Sequence, residues 1–174
     1  MWMTLALVAT ATAVPGPSVH VGDAALLFSL SALNEDAAMR AVARPTVALS
    51  DFTGVSPAFP AQVVAVHFLR RAGGDEQLQA LGRLHKRYAG KDVRVVAIVV
   101  GADSIASVSD WVQGQRLEYP VLNDAHGIVA SRYGVSSFPM TFVVDGQGDV
   151  LAIGQATSQL EGDLDAVIAP LVSR

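Results

Sequence analysis

A short loop of arginines and glycines is the segment of this sequence whose residue types most directly suggest binding chemistry. Two arginines follow an apolar run over 63–68, and two glycines precede a helical pattern that begins at Asp75. The start of a helix favours an anion, because it presents unpaired backbone N–H groups and the positive end of the helix dipole. The segment could therefore hold a carboxylate, a phosphate or an acidic peptide group. It consists of Arg70, Arg71, Ala72, Gly73, Gly74 and Asp75.

A simpler interpretation of the same segment needs no ligand. Helix N-termini are very often capped by their own side chains, and Asp75 is a residue type that caps well. Arg70 and Arg71 are then solvated. Asp75 would also repel an incoming anion. The sequence leaves both interpretations open.

His67 is a titratable side chain inside the apolar run 63–68. A histidine there could titrate near neutral pH. Because buried polar groups are almost always hydrogen-bonded, and no nucleophile is available for it to serve, we expect a neutral and hydrogen-bonded imidazole. His85 and His126 are expected on helix surfaces.

No pattern in the sequence predicts a metal or a cofactor. The histidines lack His-x-His and His-Glu-x-x-His spacing, which dedicated metal sites often use. Carboxylate pairs for hydrolysis, glycine-rich nucleotide loops and nucleophile-elbow motifs are also missing. We therefore predict no metal site, no cofactor and no catalytic residue.

The sequence contains no cysteine. This excludes disulfides, thiolate nucleophiles and sulfur ligands for metals. It also excludes a lipid anchor attached through cysteine. Cysteine usage says nothing here about the cellular compartment, because the redox state of a compartment does not affect a protein without cysteine.

Composition indicates a folded protein of one domain. Hydrophobic residues make up 51% of the 174 residues and charged residues 16%, which is typical of a globular chain. The formal net charge is −4 and the basic residues are scattered, which argues against nucleic-acid binding. No apolar run reaches the roughly 18 residues of a membrane-spanning helix.

The first 20 residues have the pattern of a signal peptide followed by a linker. Leu5–Ala13 is apolar, Ala11-Thr12-Ala13 resembles a cleavage site, and prolines follow at positions 15 and 17. The segment has no Lys or Arg, so the alternative is a floppy or mis-started N-terminus of a cytoplasmic protein. We predict a periplasmic or secreted protein whose folded domain spans residues 21–174.

The elements that must position these residues alternate between strands and helices. Asn34-Glu35-Asp36 is expected to cap the first helix, Asp103 to cap the third, and Asp145-Gly146-Gln147-Gly148 to form a β-hairpin turn. The alternation predicts an α/β fold with a parallel strand pair and an antiparallel hairpin. In order, the predicted elements are strand Phe28–Leu33, helix Ala37–Ala43, strand Thr46–Leu49, strand Val63–Phe68, helix Asp75–Tyr88, strand Val93–Val100, helix Ser104–Gln113, an extended segment Tyr119–Leu122, helix His126–Tyr133, strands Thr141–Val144 and Val150–Ile153, and a closing helix Ser158–Val172.

Three stretches carry a resemblance to a known superfamily. These are Val64-Ala65-Val66-His67-Phe68, the helix segment 81–88, and 133–145, which includes Phe138-Pro139-Met140. In this order the chain resembles the thioredoxin-like superfamily over about residues 21–174, specifically the redoxin branch of TlpA-like thiol–disulfide reductases and AhpC/TSA peroxiredoxins. The resemblance implies a central mixed β-sheet flanked by helices, here with an N-terminal β extension.

The resemblance also locates the family's active site, and there the chain departs from the family. Arg71 and Gly74 stand where the reductases have the two cysteines of a Cys-x-x-Cys motif. Pro139 stands where the family has a usually cis proline, whose exposed backbone edge pairs with an extended substrate peptide. Pro139 could instead only shape a turn of the fold. His67 occupies a strand position where relatives often carry a buried acid.

Three functions fit these observations. The leading hypothesis is a redox-inactive domain that binds a peptide, a protein partner or a small anion over Arg70–Asp75 and Phe138–Met140. The second is an enzyme that uses non-thiol chemistry in the same cleft, which a deep pocket with converging polar groups and a perturbed His67 would favour. The third is a structural scaffold, which an apolar surface patch elsewhere would favour.

Overall fold

A computed structural model of the chain describes residues 18–101, 103–155 and 159–172. Most of the predicted signal peptide and linker, and Ser158 at the predicted start of the closing helix, lie outside these residues. In chain order the elements are β1 (Ser29–Ser31), α1 (Glu35–Val42), β2 (Thr46–Ala48), a 3-10 turn (Leu49–Asp51), β3 (Val63–Leu69), α2 (Gly74–Arg87), β4 (Val93–Val100), α3 (Ile105–Gly114), β5 (Val121–Asp124), α4 (Ile128–Arg132), β6 (Met140–Asp145), β7 (Val150–Gln155) and α5 (Leu160–Val172).

Five strands form a mixed sheet in the order β5-β4-β3-β6-β7. β3, β4 and β5 are parallel, whereas β6 and β7 are antiparallel to their neighbours. β3 and β4 are buried along nearly their whole length. Their Val- and Ile-rich sequences suit strands that are covered on both faces. This is the predicted α/β arrangement of a parallel set extended by a hairpin.

The helices pack on both faces of this sheet and enclose two apolar layers. One layer contains Phe68, Tyr133 and Phe142, whose rings contact one another with centroids 4.9 to 5.8 Å apart. The other layer contains the leucines of α2 and the inner face of α5. Packing on both faces fixes the ends of β3 and β6, which carry the candidate site.

The predicted N-terminal β extension is a two-stranded antiparallel sheet of β1 and β2. It is shorter than the sequence predicted, because Leu49 already begins the 3-10 turn. An isolated bridge between Ala32 and Leu122 joins it to the main sheet. The extension therefore covers the β5 edge.

Two predicted helix caps are wrong. Asn34 lies at the N-cap of α1, but its side chain bonds the backbone beside β5, donating to Tyr119 O at 2.9 Å and accepting from Val121 N at 2.9 Å. Ser104, not Asp103, caps α3, and its hydroxyl accepts from Ser107 N. In the first case a long-range backbone partner outcompetes the local cap.

The hairpin between β6 and β7 has the predicted turn. Asp145 Oδ1 accepts hydrogen bonds from the backbone N–H groups of Gln147, Gly148 and Asp149 at 2.9 to 3.0 Å. This is the local side-chain-to-backbone bonding that makes aspartate favourable in turns. Within the described residues, no helix combines the length and the apolar character that a membrane crossing requires.

Candidate functional site

The amino end of α2 is packed tightly against a tryptophan of α3. Gly73 adopts a left-handed conformation with φ of 75° and precedes the helix, and Gly74 is its buried first residue. A Cβ atom added to Gly74 would lie 2.9 Å from Cη2 of Trp111 and 3.1 Å from Cδ1 of Leu69. Only glycine fits here without displacement of the indole ring.

Asp75 bonds to α3 and does not cap its own helix, which corrects the simpler interpretation of the sequence. Its Oδ1 atom accepts a hydrogen bond from Trp111 Nε1 at 2.8 Å and another from Gln115 Nε2. No side chain caps α2. The carboxylate still lies in the first turn, where the helix dipole favours a negative charge.

The two arginines of the loop contact different neighbours, so they are not simply solvated. The guanidinium carbon of Arg70 lies 4.7 Å from the centroid of the Phe138 ring, which is the distance of a cation–π contact. Arg71 Nη1 donates to Ser107 Oγ at 2.6 Å. Both side chains are exposed, and neither forms an ion pair with a carboxylate of the described residues.

The loop that leads into β6 lies beside this segment. The peptide bond between Phe138 and Pro139 is cis. Both residues are half-buried, whereas Met140 is buried and pairs with Phe68 of β3. A cleft of about 390 Å³ connects Pro139 with Gly73, Gln77 and the first turn of α5. The structure thus brings the two predicted segments together, and we call Arg70–Asp75 with Phe138–Met140 the two-loop surface.

His67 lies behind this surface and is fully buried. Its Nδ1 atom is 2.8 Å from Thr141 Oγ1 on β6, and its Nε2 atom is 3.2 Å from Gln77 Oε1 on α2. Because an amide oxygen only accepts, Nε2 carries the proton and Nδ1 accepts from the Thr141 hydroxyl. Gln77 Nε2 in turn donates to Gly73 O at 3.0 Å. A chain of hydrogen bonds therefore joins the core histidine to the loop.

Burial lowers the pKa of His67 to about 4, although the hydrogen bond with Gln77 acts in the opposite direction. Desolvation dominates because the charged imidazolium would lose its water in the core. The ring is neutral at pH 7, as the sequence predicted.

The site gives little support to the second hypothesis, an enzyme with non-thiol chemistry, because its hydroxyl–imidazole pair is not accessible to a substrate. Thr141 and His67 form a hydroxyl–imidazole pair, but their exposed fractions are 3% and 0%. A nucleophile must reach its substrate, and this pair is closed to solvent. Ser107, the half-buried alternative, accepts from Arg71 and has no imidazole bonded to it among the described contacts.

Sequence reasoning missed the residues of α3 that hold the loop. Ser107, Trp111 and Gln115 follow one another at intervals of four, so they share one face of the helix. This spacing was the available signal. It could not be interpreted from the sequence alone, because their partners Arg71 and Asp75 lie 36 to 40 positions away.

Comparisons with known proteins give a consistent relationship. The model of the AhpC/TSA family matches residues 21–153. The thiol-disulfide oxidoreductase ResA of Bacillus anthracis is 30% identical over 96 residues, which are 53% of this chain and 55% of that protein. The chain thus spans about half the length of the curated relatives it matches.

Solved structures share the fold over most of both chains. A candidate DsbE thiol:disulfide interchange protein from Chlorobium tepidum superposes with a TM-score of 0.70 and 24% identity, covering 88% of this chain and 99% of that one. The peroxidoxin BcpB from Mycobacterium tuberculosis gives a TM-score of 0.66 and 21% identity, covering 89% and 97%. These likenesses show a thioredoxin-like fold.

Proposed function

Because the chain belongs to the AhpC/TSA family, in the redoxin branch of the thioredoxin-like superfamily, and yet contains no cysteine, we propose that it is a redox-inactive binding protein. Its ligand is an extended segment of a partner protein, held across the two-loop surface. The ligand carries an apolar side chain and an acidic group.

The contact between Arg70 and Phe138 carries this proposal. These residues are 68 positions apart, yet the guanidinium lies 4.7 Å from the ring centroid and links the two loops into one surface. The cleft beside Pro139 extends this surface toward Gln77. A groove next to a half-buried aromatic ring and a cation is suited to an extended peptide with an apolar and an acidic side chain.

The lost thiol chemistry supports the same proposal. Disulfide exchange and peroxide reduction both begin with attack by a cysteine thiolate, and the resemblance to the reductases puts Arg71 and Gly74 at the two cysteine positions. Trp111 packs so closely on Gly74 that even a Cβ atom has no room. We infer that the indole ring refills the space that a second cysteine would need.

The acidic group of the ligand is expected at the arginines. Arg70 and Arg71 have no carboxylate partner among the described residues, and Arg71 uses one of its nitrogens on Ser107. A guanidinium retains further N–H donors after one such bond, which suits a carboxylate. Asp75 opposes this attraction less than the sequence suggested, because Trp111 and Gln115 donate to it.

A pull-down from a cell-envelope extract tests the proposal. Wild type is compared with Arg70→Ala/Arg71→Ala, with Pro139→Ala, and with Lys91→Ala as a control for lost positive charge away from the surface. We expect a partner that wild type and Lys91→Ala capture and that the folded surface variants lose. The affinity of the partner's peptide, measured by calorimetry, should fall at least about tenfold in the arginine variant. Equal capture by all four proteins contradicts the proposal.

A second candidate function, the scaffold, has its own supporting observation. Leu27, Ile105 and Ile128 are 60 to 62% exposed and line one groove near the end of β5. Exposed apolar patches of this kind often mark protein contacts. Capture that survives the two-loop variants but is lost in Ile105→Ser/Ile128→Ser would favour this function.

Export to the periplasm or the medium is part of the proposal, and a cytoplasmic location is its alternative. Its basis is the apolar run and small-residue site within residues 1–20. Amino-terminal sequencing of the protein from fractionated cells tests it. A start near Val14 in the exported fraction supports export, and an intact Met1 in the cytoplasm contradicts it.

A further inference from the structure

A second groove lies at the opposite end of the sheet from the two-loop surface. β5 pairs with β4 only from Ala97 onward, so residues 93–96 have no strand partner on that side. α1, the end of α2 and residues 118–120 surround this open stretch and enclose about 590 Å³. We call it the β4-edge groove. Its lining includes Arg40, Phe52, His85, Arg94, Glu118 and Pro120.

Two guanidinium groups line the β4-edge groove without a carboxylate partner. Neither Arg40 nor Arg94 forms an ion pair with any described residue. Arg94 Nη1 donates to the carbonyl of Val93 at 3.2 Å. This bond anchors the guanidinium group of Arg94, and its other N–H donors remain available for a ligand. Planar guanidinium groups with available donors are the ones that bind carboxylates most specifically.

His85 adds a neutral polar group to the groove. Its pKa is lowered, chiefly by burial and further by the positive charges of Arg94, Lys86 and Arg40, whereas Glu118 acts in the opposite direction. The ring is held beside Tyr119, with centroids 6.0 Å apart.

The wall of the groove between these charges is apolar. Phe52 is 1% exposed and Pro120 is buried, and Ala41 and Val95 line the same space. A pocket with a few convergent polar groups on an apolar wall is the usual form of a small-ligand site.

We propose that the β4-edge groove binds a carboxylate attached to an apolar body. Arg40 and Arg94 take the carboxylate, and the apolar body lies along the half-buried Ala41, above the buried Phe52 and Pro120. Glu118 limits the affinity by repulsion. A free organic acid and the carboxyl terminus of a polypeptide both carry this chemistry. The groove is separate from the two-loop surface, so this inference does not rest on the proposed function.

An NMR titration of the full chain tests this inference. The probes are 4-phenylbutyrate and a short peptide that ends in phenylalanine with a free carboxylate, each compared with its amide. We expect saturable shifts of the backbone signals at 40–41, 85 and 94–95 with the acids and not with the amides. A stronger response to the free acid assigns a small-molecule site, and a stronger response to the peptide assigns a chain terminus.

Variants separate a specific site from general attraction. Arg40→Ala and Arg94→Ala should each weaken binding of the better acid about tenfold, and Arg94→Lys should weaken it less. Glu118→Gln should strengthen it, and Lys91→Ala should leave it unchanged. Absence of saturable shifts up to roughly 10 mM, equal binding of the amides, or unchanged affinity in folded Arg94→Ala would overturn the inference.

Discussion

The two loops of the candidate surface differ in what stands behind them. Behind Gly74, α3 fills the space with the ring of Trp111 and bonds Asp75 through Trp111 and Gln115. Behind Pro139, the core holds a chain of polar groups in which Thr141 and His67 bond each other at 2.8 Å. The first region is held by close packing, and the second contains a buried titratable group. The two halves of the surface are therefore supported by different kinds of interaction.

The difference also predicts how each region responds to change. A region held by close packing is sensitive to added volume, whereas a region held by a buried neutral imidazole is sensitive to protons. Five measurements test this contrast, beginning with the largest expected effect.

The His67 region should make stability depend on pH. Its folded-state pKa is lowered to about 4 from 6.5, so the unfolded chain binds the proton more readily than the native one. The contribution of neutral His67 is complete above about pH 6.5 and is lost as the pH falls toward 4, by about 3 kcal/mol in total. Urea unfolding of wild type and His67→Gln over this range measures it, because carboxylates contribute equally to both. Parallel pH profiles would contradict a buried neutral imidazole.

The Gly74 region should reject any side chain. We expect Gly74→Ala to lower the free energy of unfolding by about 2 kcal/mol, because its Cβ atom would overlap Trp111 at 2.9 Å. Gly82→Ala is the matched control in the same helix. Its Cβ atom would find ordinary contacts of 3.7 Å or more, so we expect no loss and a gain of up to about 1 kcal/mol. Equal effects of the two substitutions would mean that Trp111 is not closely packed on Gly74.

The same contact predicts that two introduced cysteines alone do not give the chain disulfide-reductase activity. Arg71→Cys/Gly74→Cys should show little turnover of an insulin disulfide, because the second cysteine cannot be seated beside Trp111. Adding Trp111→Ala should raise the turnover of this variant. Full activity in the double variant would show that the site is only missing its thiols and is not refilled.

Much of the fold followed from the sequence, because local patterns determine it. β4 has the predicted bounds of 93 and 100, since a Val- and Ile-rich run lies between Asp92 and Gly101 and contains a single charged residue, Arg94. β5 begins two residues later than the extended segment predicted from Tyr119. The carbonyl of Pro120 still accepts a hydrogen bond from Ala97 N of β4, although Pro120 itself lies outside β5. Apolar character alone does not show where in this segment the strand begins.

The candidate site was predictable as two segments but not as a set of contacts. The segments are marked by residue type and by their place after strand β3 and before strand β6. One interpretation of the sequence had Asp75 capping α2, yet its partners are Trp111 of α3 and Gln115 at the C-terminal end of α3. The docking of α3 against α2 decides this outcome, and no local pattern contains that information.

Removal of the hydrogen bonds between the two helices should have a moderate effect. Asp75→Ala deletes the acceptor of Trp111 Nε1 and Gln115 Nε2, so we expect a loss of about 1 kcal/mol in the free energy of unfolding. Glu76→Ala is the control, because Glu76 is an exposed acid in the same helical turn. This substitution should lower the free energy of unfolding by only roughly 0.3 kcal/mol. A smaller effect at Asp75 than at Glu76 would contradict its role in holding the loop.

The smallest effect on stability is expected where the effect on binding is greatest. Arg70 is exposed, and its contact with Phe138 is a single cation–π pair on the surface, so Arg70→Ala should change the free energy of unfolding by about 0.5 kcal/mol or less. Arg70→Lys keeps the charge but loses the planar fork that would bind a carboxylate. Loss of partner capture in Arg70→Ala, with partial recovery in Arg70→Lys and unfolding curves that nearly coincide, would separate binding from folding. A stability loss of about 2 kcal/mol or more with partner capture unchanged would instead make the Arg70–Phe138 contact part of the fold. The two-loop surface would then be a structural scaffold without a ligand.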